Sequence, residues 1–492
     1  MKSEPVLVRK LAVGGIVSLL LLAGCGGGTS PSSINQPVSS GVNSVPTINS
    51  LYPSCAPAGD SVQLLVVGTN FVASSVVRWN GSNQPTTLYP NSNGEILTAQ
   101  ISASAVASAG TAAVTVFNPG PGGGSSNPST FTINSGAVDP QSIAVDPAGE
   151  FAYVASGGCD GSGYVSMYTI NPTTGALASI GPPVPSNDEF TDSVTVDPFG
   201  KFVYVASSGD VWDIDFGSVV TYAINPTTGA LTSTTGGIIG TGVNGTAELF
   251  NSVAVDPSGK FAYAADGGAF PAGSFGGDSS VSMYTINSTT GALTSTGMIA
   301  AGAGPDSVAV DPAGKFAYVT NFESNDVSMY TIDATTGALA PTGTIAAGPG
   351  PVSVAVDPAG KFAYVANWTY DTEGSVSMYT IDATTGALTF IGSIAAGTSA
   401  FSVAVDPAGK FAYVANWTGN DTEGSVSMYT IDATTGVLTP SGTIATELSP
   451  TSIVIHPSGK FAYVTNSGSN SVSMYSIDSA TGALTLIGTM GT

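Results

Sequence analysis

Residues 353–388 read SVAVDPAGKFAYVANWTYDTEGSVSMYTIDATTGAL. Four runs in and just beyond this stretch (353–356, 362–366, 376–381 and 387–394) are rich in Val, Ile, Ala, Phe and Tyr, and each has the length of a strand. Turn chemistry separates them. Asp357-Pro358-Ala359-Gly360 puts Asp at the first turn position, Pro at the second and Gly at the fourth, the pattern of a type I turn. Asp382-Ala383-Thr384-Thr385-Gly386 supplies a second tight turn. The same paragraph occurs seven times, with the Asp-Pro pair at Asp146, Asp197, Asp256, Asp311, Asp357 and Asp406 and with His456-Pro457 in the last copy, at spacings of 46 to 59 residues. Four strands per period of that size make a propeller blade, so the chain is expected to be all-β, with seven blades. The first copy opens on its first strand and the last closes on its fourth. Closure by packing of blade 7 on blade 1 is therefore expected, with no exchanged strand.

The 492 residues are enough for more than one domain. Only 9% are charged, yet ten Lys plus Arg face 33 Asp plus Glu. A surface of that sign repels nucleic acid and anionic lipid and excludes both as partners; it suits cations and neutral ligands.

Lys2, Arg9 and Lys10 precede an apolar run at 11–22 and then Leu22-Ala23-Gly24-Cys25. The run is short for a membrane span. Small residues before a cysteine resemble the lipobox of bacterial lipoproteins, which implies that residues 1–25 are a signal peptide ending in a lipidated Cys25 and that the protein is anchored by lipid in the bacterial cell envelope. Cys25→Ser is then expected to remove the protein from the membrane pellet on fractionation without affecting its fold; a variant still in the pellet contradicts the anchor. Residues 26–45 carry no charge and few bulky groups, the composition of a flexible tether. Cys55 and Cys159 fall in different expected domains, and both are expected to be free thiols.

Residues 46–135 differ in texture. Short alternating runs at 62–67 and 113–116 between Gly, Pro and Asn turns describe a small β-sandwich. Gly68-Thr69-Asn70-Phe71, Val77-Arg78-Trp79-Asn80-Gly81 and Val116-Phe117-Asn118-Pro119-Gly120 resemble the IPT/TIG family of immunoglobulin-like domains, which implies an interaction or spacer module without catalytic residues. Trp79 is expected in its core. Residues 137–492 hold the seven copies. They resemble the seven-bladed lactonase-like propellers with the YVTN repeat, and Tyr318-Val319-Thr320-Asn321 and Tyr463-Val464-Thr465-Asn466 match it literally. The expected fold is thus a seven-bladed β-propeller with an N-terminal immunoglobulin-like β-sandwich.

Strands that alternate in direction place the a–b and c–d turns on one face and the b–c and d–a loops on the other. The first face carries near-identical turns and all six propeller lysines (Lys201, Lys260, Lys315, Lys361, Lys410 and Lys460), a recurrence that marks solvated turn residues. The second face varies and has no Lys, Arg or His. Its candidate ligand-binding residues are Trp212, Trp368, Asp371, Trp417 and Asp421, with Glu373 and Glu423 beside them: indoles stack on sugar rings and carboxylates accept from hydroxyls. A binding or scaffold module that engages a neutral glycan or a surface protein follows from that set. The alternative, implied by the lactonase resemblance, is a metal-assisted hydrolase acting on a neutral lactone at the mouth of the central channel. Residues just before each strand-a Ser ring that mouth: Gln141, Asp192, Asn251, Asp306, Val352, Phe401 and Thr451. Asp192, Asn251 and Asp306 are the candidate metal ligands, and calcium is the cation their hard oxygens suit. A phosphorylated lactone is not expected as substrate, because no cation on this face would hold its phosphate.

Overall fold

The computed structural model describes residues 42–492 apart from 59–60, 90–94, 109, 135–137, 159–162, 187–189, 209–216, 241–249, 268–278, 371 and 419–422. Cys25, Cys159, Trp212, Asp371 and Asp421 lie outside the described residues.

Two sheets form the N-terminal sandwich. One pairs Thr47–Tyr52, Val62–Thr69, Ile96–Ile101 and Thr86–Leu88; the other is built on Gly110–Asn118 between Ser129–Asn134 and Val76–Trp79. Alternation buries Val62, Leu64 and Val66 on one strand and Ala112, Val114 and Val116 on another, and these inner faces make one core. Trp79 is in it, 4% exposed, with its ring centroid 4.9 Å from that of Phe131. Cys55 is disulfide-bonded, to a partner outside the described residues. This corrects the expectation of a free thiol: the pairing depends on three-dimensional proximity, which residue spacing does not supply.

Seven sheets follow, six made of four consecutive strands in the order a-b-c-d and the first of five. In blade 5 these are Pro351–Val356, Phe362–Asn367, Glu373–Ile381 and Leu388–Thr398. Strand c begins at Glu373, earlier than the pattern of apolar residues indicates. Gly374 allows this: a Cβ there would lie 2.5 Å from the Ala400 nitrogen. Blade 1 departs at its outer edge, where Leu177–Ser179 and Val184–Pro185 pair separately with strand c. Pro182 and Pro183 stand between the two pieces and cannot donate to a ladder.

The repeat residues join each blade to the next. In six blades the turn Asp accepts backbone N–H bonds; Asp357 takes them from Ala359 and Phe362 at 3.1 and 2.6 Å. Each strand-b Tyr donates its hydroxyl to the c–d turn Gly carbonyl of the following blade, as Tyr364 does to Gly436 at 2.9 Å and Tyr318 to Gly386 at 2.9 Å. Burial first, and then the turn Asp of its own blade, pushes the Tyr364 phenol above its ordinary range, so it stays a donor. Six strand-c methionines accept an N–H from the next blade's Leu through sulfur, for example Met329 from Leu388 at 3.2 Å. Blade 2 has Thr221 at that position, and its buried hydroxyl has no partner.

The same bonds close the ring without strand exchange, as expected. Tyr463 donates to Gly175 at 2.9 Å and Met474 accepts from Leu177 at 3.2 Å. His456, a substitution without apparent purpose in the sequence, is buried at this seam. Its Nε2–H donates to the Gly149 carbonyl of blade 1 at 2.9 Å, and its Nδ1 accepts from the Ser458 N–H at 3.0 Å.

The c–d turn glycine has no tolerance for a side chain. Gly386 sits at φ 71°, and a Cβ would come within 2.3 Å of the Phe316 ring. Gly386→Ala is expected to cost about 1–3 kcal/mol, read as a lowered urea midpoint. An unchanged midpoint would mean that the blades can slide apart freely there.

Candidate functional site: the channel mouth and its rim

The seven strands a line the central channel. Their serines stitch it laterally: the Ser142 hydroxyl accepts from the Val194 N–H at 3.2 Å, Ser353 from Val403 at 3.2 Å and Ser402 from Ile453 at 3.2 Å. Two residues before the Val or Ile at this position of strand a, every blade has a β-bulge, placed between Pro140 and Ser142, Thr191 and Ser193, Phe250 and Ser252, Pro305 and Ser307, Pro351 and Ser353, Ala400 and Ser402, and Pro450 and Ser452. The residue in each bulge has no ladder partner, and bulges re-aim side chains. The seven bulged residues are Gln141, Asp192, Asn251, Asp306, Val352, Phe401 and Thr451, the ring expected at the mouth.

This ring has two halves. Blades 1 to 4 contribute partly exposed Gln141, Asp192, Asn251 and Asp306. Blades 5 and 6 contribute apolar Val352 and Phe401, while Thr451 is buried and donates to the Pro140 carbonyl at 2.8 Å across the seam. Asn251 spans to its neighbour in the same way, its amide donating to the Pro305 carbonyl at 3.0 Å. Asp192 accepts the Ser208 N–H at 3.0 Å.

Asp306 is the perturbed group. Enclosure by protein, and secondarily repulsion by the Asp192 carboxylate, push its pKa up to about 7. The two acids therefore interact across blade 3. No cluster of three or more His, Cys, Asp or Glu side chains suited to a metal occurs among the described residues. Two repelling carboxylates and one amide would give a cation part of the six to eight oxygens calcium takes.

On the rim, residues that follow strands b form an aromatic group. The Trp368 ring lies 6.5 Å from Trp417, 5.9 Å from Phe322 and 6.1 Å from Tyr370. Backbone bonds from Trp368 to Gly350 and from Phe322 to Gly304 tie two of them to the segments that lead into strands a. The two tryptophans singled out in the sequence are thus neighbours. Phe322 was missed because Asn321-Phe322-Glu323 bears no likeness to the Asn-Trp-Thr of blades 5 and 6; only the shared position after strand b reveals it.

A family model described as lactonase, 7-bladed beta-propeller matches residues 238–356, 341–449 and 395–492, and the IPT/TIG domain matches residues 46–133. Asp306 lies inside the matched region and Asp192 outside it. Among solved structures, a candidate 6-phosphogluconolactonase from Bacteroides fragilis is 21% identical with a TM-score of 0.53, over 66% of this chain and 90% of its own. The periplasmic gluconolactonase of Pseudomonas aeruginosa is 17% identical with a TM-score of 0.52, over 66% and 92%. Hydrazine synthase of Kuenenia stuttgartiensis is 19% identical with a TM-score of 0.51, over 71% and 98%. These likenesses establish the fold, which serves unrelated chemistries. No curated protein matches the chain.

Proposed function

The chain belongs to the seven-bladed β-propeller lactonase family, and from that membership we propose that it is a lactonase-type hydrolase of the bacterial cell envelope, held by lipid at Cys25 and acting on a neutral lactone at the channel mouth. The observation that carries this reading is the pair of acids, Asp192 and Asp306, each at the bulge of a strand a and in electrostatic contact with one another. Ester hydrolysis needs one group to take a proton from the attacking water and another to give one to the departing ring oxygen. Asp192, which accepts a backbone N–H, is suited to the first task. Asp306, which holds its proton close to neutral pH, is suited to the second. A calcium ion between the two carboxylates would polarise the lactone carbonyl instead. Val352 and Phe401 on the far half of the ring offer an apolar wall to the carbon skeleton.

Charge selects the substrate. Two carboxylates and no Lys, Arg or His on this face disfavour a phosphorylated lactone. Hydrolysis of glucono-δ-lactone and of its 6-phosphate is to be followed by acid release, with calcium and with chelator. Turnover of the neutral compound only is expected. Faster turnover of the phosphate would overturn the charge argument, and no turnover of either would overturn the enzyme. Dependence on calcium would assign the carboxylates to the cation.

A further inference from the structure

From the rim aromatics we infer that a second site, separate from hydrolysis, binds the flat faces of neutral sugar rings across blades 4 to 6. Four rings from three blades gather within 6.5 Å centroid spacings of Trp368. The scaffold's own packing does not call for them. The blade cores are complete one layer below, in the buried Phe362, Tyr364 and Met378 cluster, and in none of the blade cores does Phe322, Trp368, Tyr370 or Trp417 take part. Tyr370 is 47% exposed, and Phe322, Trp368 and Trp417 are each partly exposed. The Trp368 indole N–H is buried without a protein partner, as is that of Trp79 in the sandwich core; the rings' position outside the blade cores is what sets the Trp368 group apart.

Charge narrows the occupant. Among the described residues, the exposed charged side chains around the cluster are Glu323, Glu373 and Glu423, and the sequence puts every propeller lysine in the turns of the opposite face. Sulfated, phosphorylated and uronic glycans are therefore repelled. A neutral polyol offers hydroxyls to those carboxylates and C–H faces to the rings. The two indoles on adjacent blades suit a chain of sugar units better than a single one.

The test is affinity electrophoresis of the full-length protein in detergent through gels containing laminarin, dextran or dextran sulfate. Retardation by a neutral glucan and none by dextran sulfate is expected. Tyr370→Ala, at an exposed position that leaves the fold intact, and Trp368→Ala with Trp417→Ala should each weaken retention, the double variant about tenfold or more. Trp368→Phe should restore part of it. Thermal midpoints measured in parallel separate lost binding from lost folding. No retardation by either neutral glucan, or retardation unchanged in both Tyr370→Ala and the double variant, overturns the proposal. So does concentration-dependent self-association that the same variants abolish without any glucan binding, since the cluster would then belong to a second copy of the chain.

Discussion

Asp306→Asn is expected to lower kcat/KM for a neutral lactone by about 100-fold or more and, in the same protein, to raise thermal stability at alkaline pH. Both effects come from the enclosure of one carboxyl beside another. In the unfolded chain this aspartate ionises at its ordinary value of 3.8, whereas in the folded ring its pKa is near 7. Between those values the folded state holds a proton that the unfolded state has lost. Stability therefore declines as pH rises from about 4 to about 7 and stays reduced above that. Asparagine cannot ionise and escapes the decline. The variant should melt a few degrees above the wild type at pH 8, and the two should coincide at pH 3. For the wild type, kcat/KM should fall above pH 7 as the acid form of Asp306 is lost. A variant that loses activity with no pH-dependent gain in stability would mean that the carboxyl is not strained by its surroundings. One that gains stability and keeps activity would remove Asp306 from the chemistry.

Tyr463→Ala is expected to cost about 3–5 kcal/mol, among the largest single effects open to this molecule. Among the described residues the bonds that close the ring all involve a side chain, and Tyr463 is fully buried with its hydroxyl on Gly175 of blade 1. Truncation removes a large buried ring, leaves the Gly175 carbonyl unpaired and opens a cavity beside Phe461, the residue that a Gly175 side chain would strike. Tyr364→Ala makes the same change between blades 5 and 6. Equal shifts of the urea midpoint are expected, because the seam uses the same bond as the other junctions. A much smaller cost at Tyr463 would show that the seam is held chiefly by His456 and Thr451.

The seven-blade architecture was legible because every copy carries its own turn residues: Asp-Pro-x-Gly and Thr-Thr-Gly in six copies, His-Pro-Ser-Gly and Ala-Thr-Gly in the seventh, are local signals that need no knowledge of neighbours. The mouth ring was legible by position, two residues before a Val or Ile in each strand a. The bulge that lifts those residues was not, since it exists only in the register between strands a and b. The unread features share that dependence. Phe322 joins Trp368 because blades 4 and 5 meet, and His456 finds Gly149 across 307 positions of chain. Glu373 starts a strand instead of ending a loop because Gly374 allows close approach to the next blade. The disulfide at Cys55 belongs to the same class.

The bulge at the head of every strand a also bears on how such a molecule can change over generations. Because the bulged residue has no ladder partner, replacing it breaks no rung of the backbone ladder, and only the side-chain bonds that Asp192, Asn251 and Thr451 make are exchanged with it. The mouth is in effect a word of seven letters, here Gln, Asp, Asn, Asp, Val, Phe, Thr, in which each blade writes one letter and spelling is independent of grammar. A lineage could exchange an acid for a base, or an apolar wall for a polar one, at single positions around the circle while the repeat itself is copied unaltered. New chemistry at the mouth is then reached by substitution alone, with no insertion and no rebuilding of the ring.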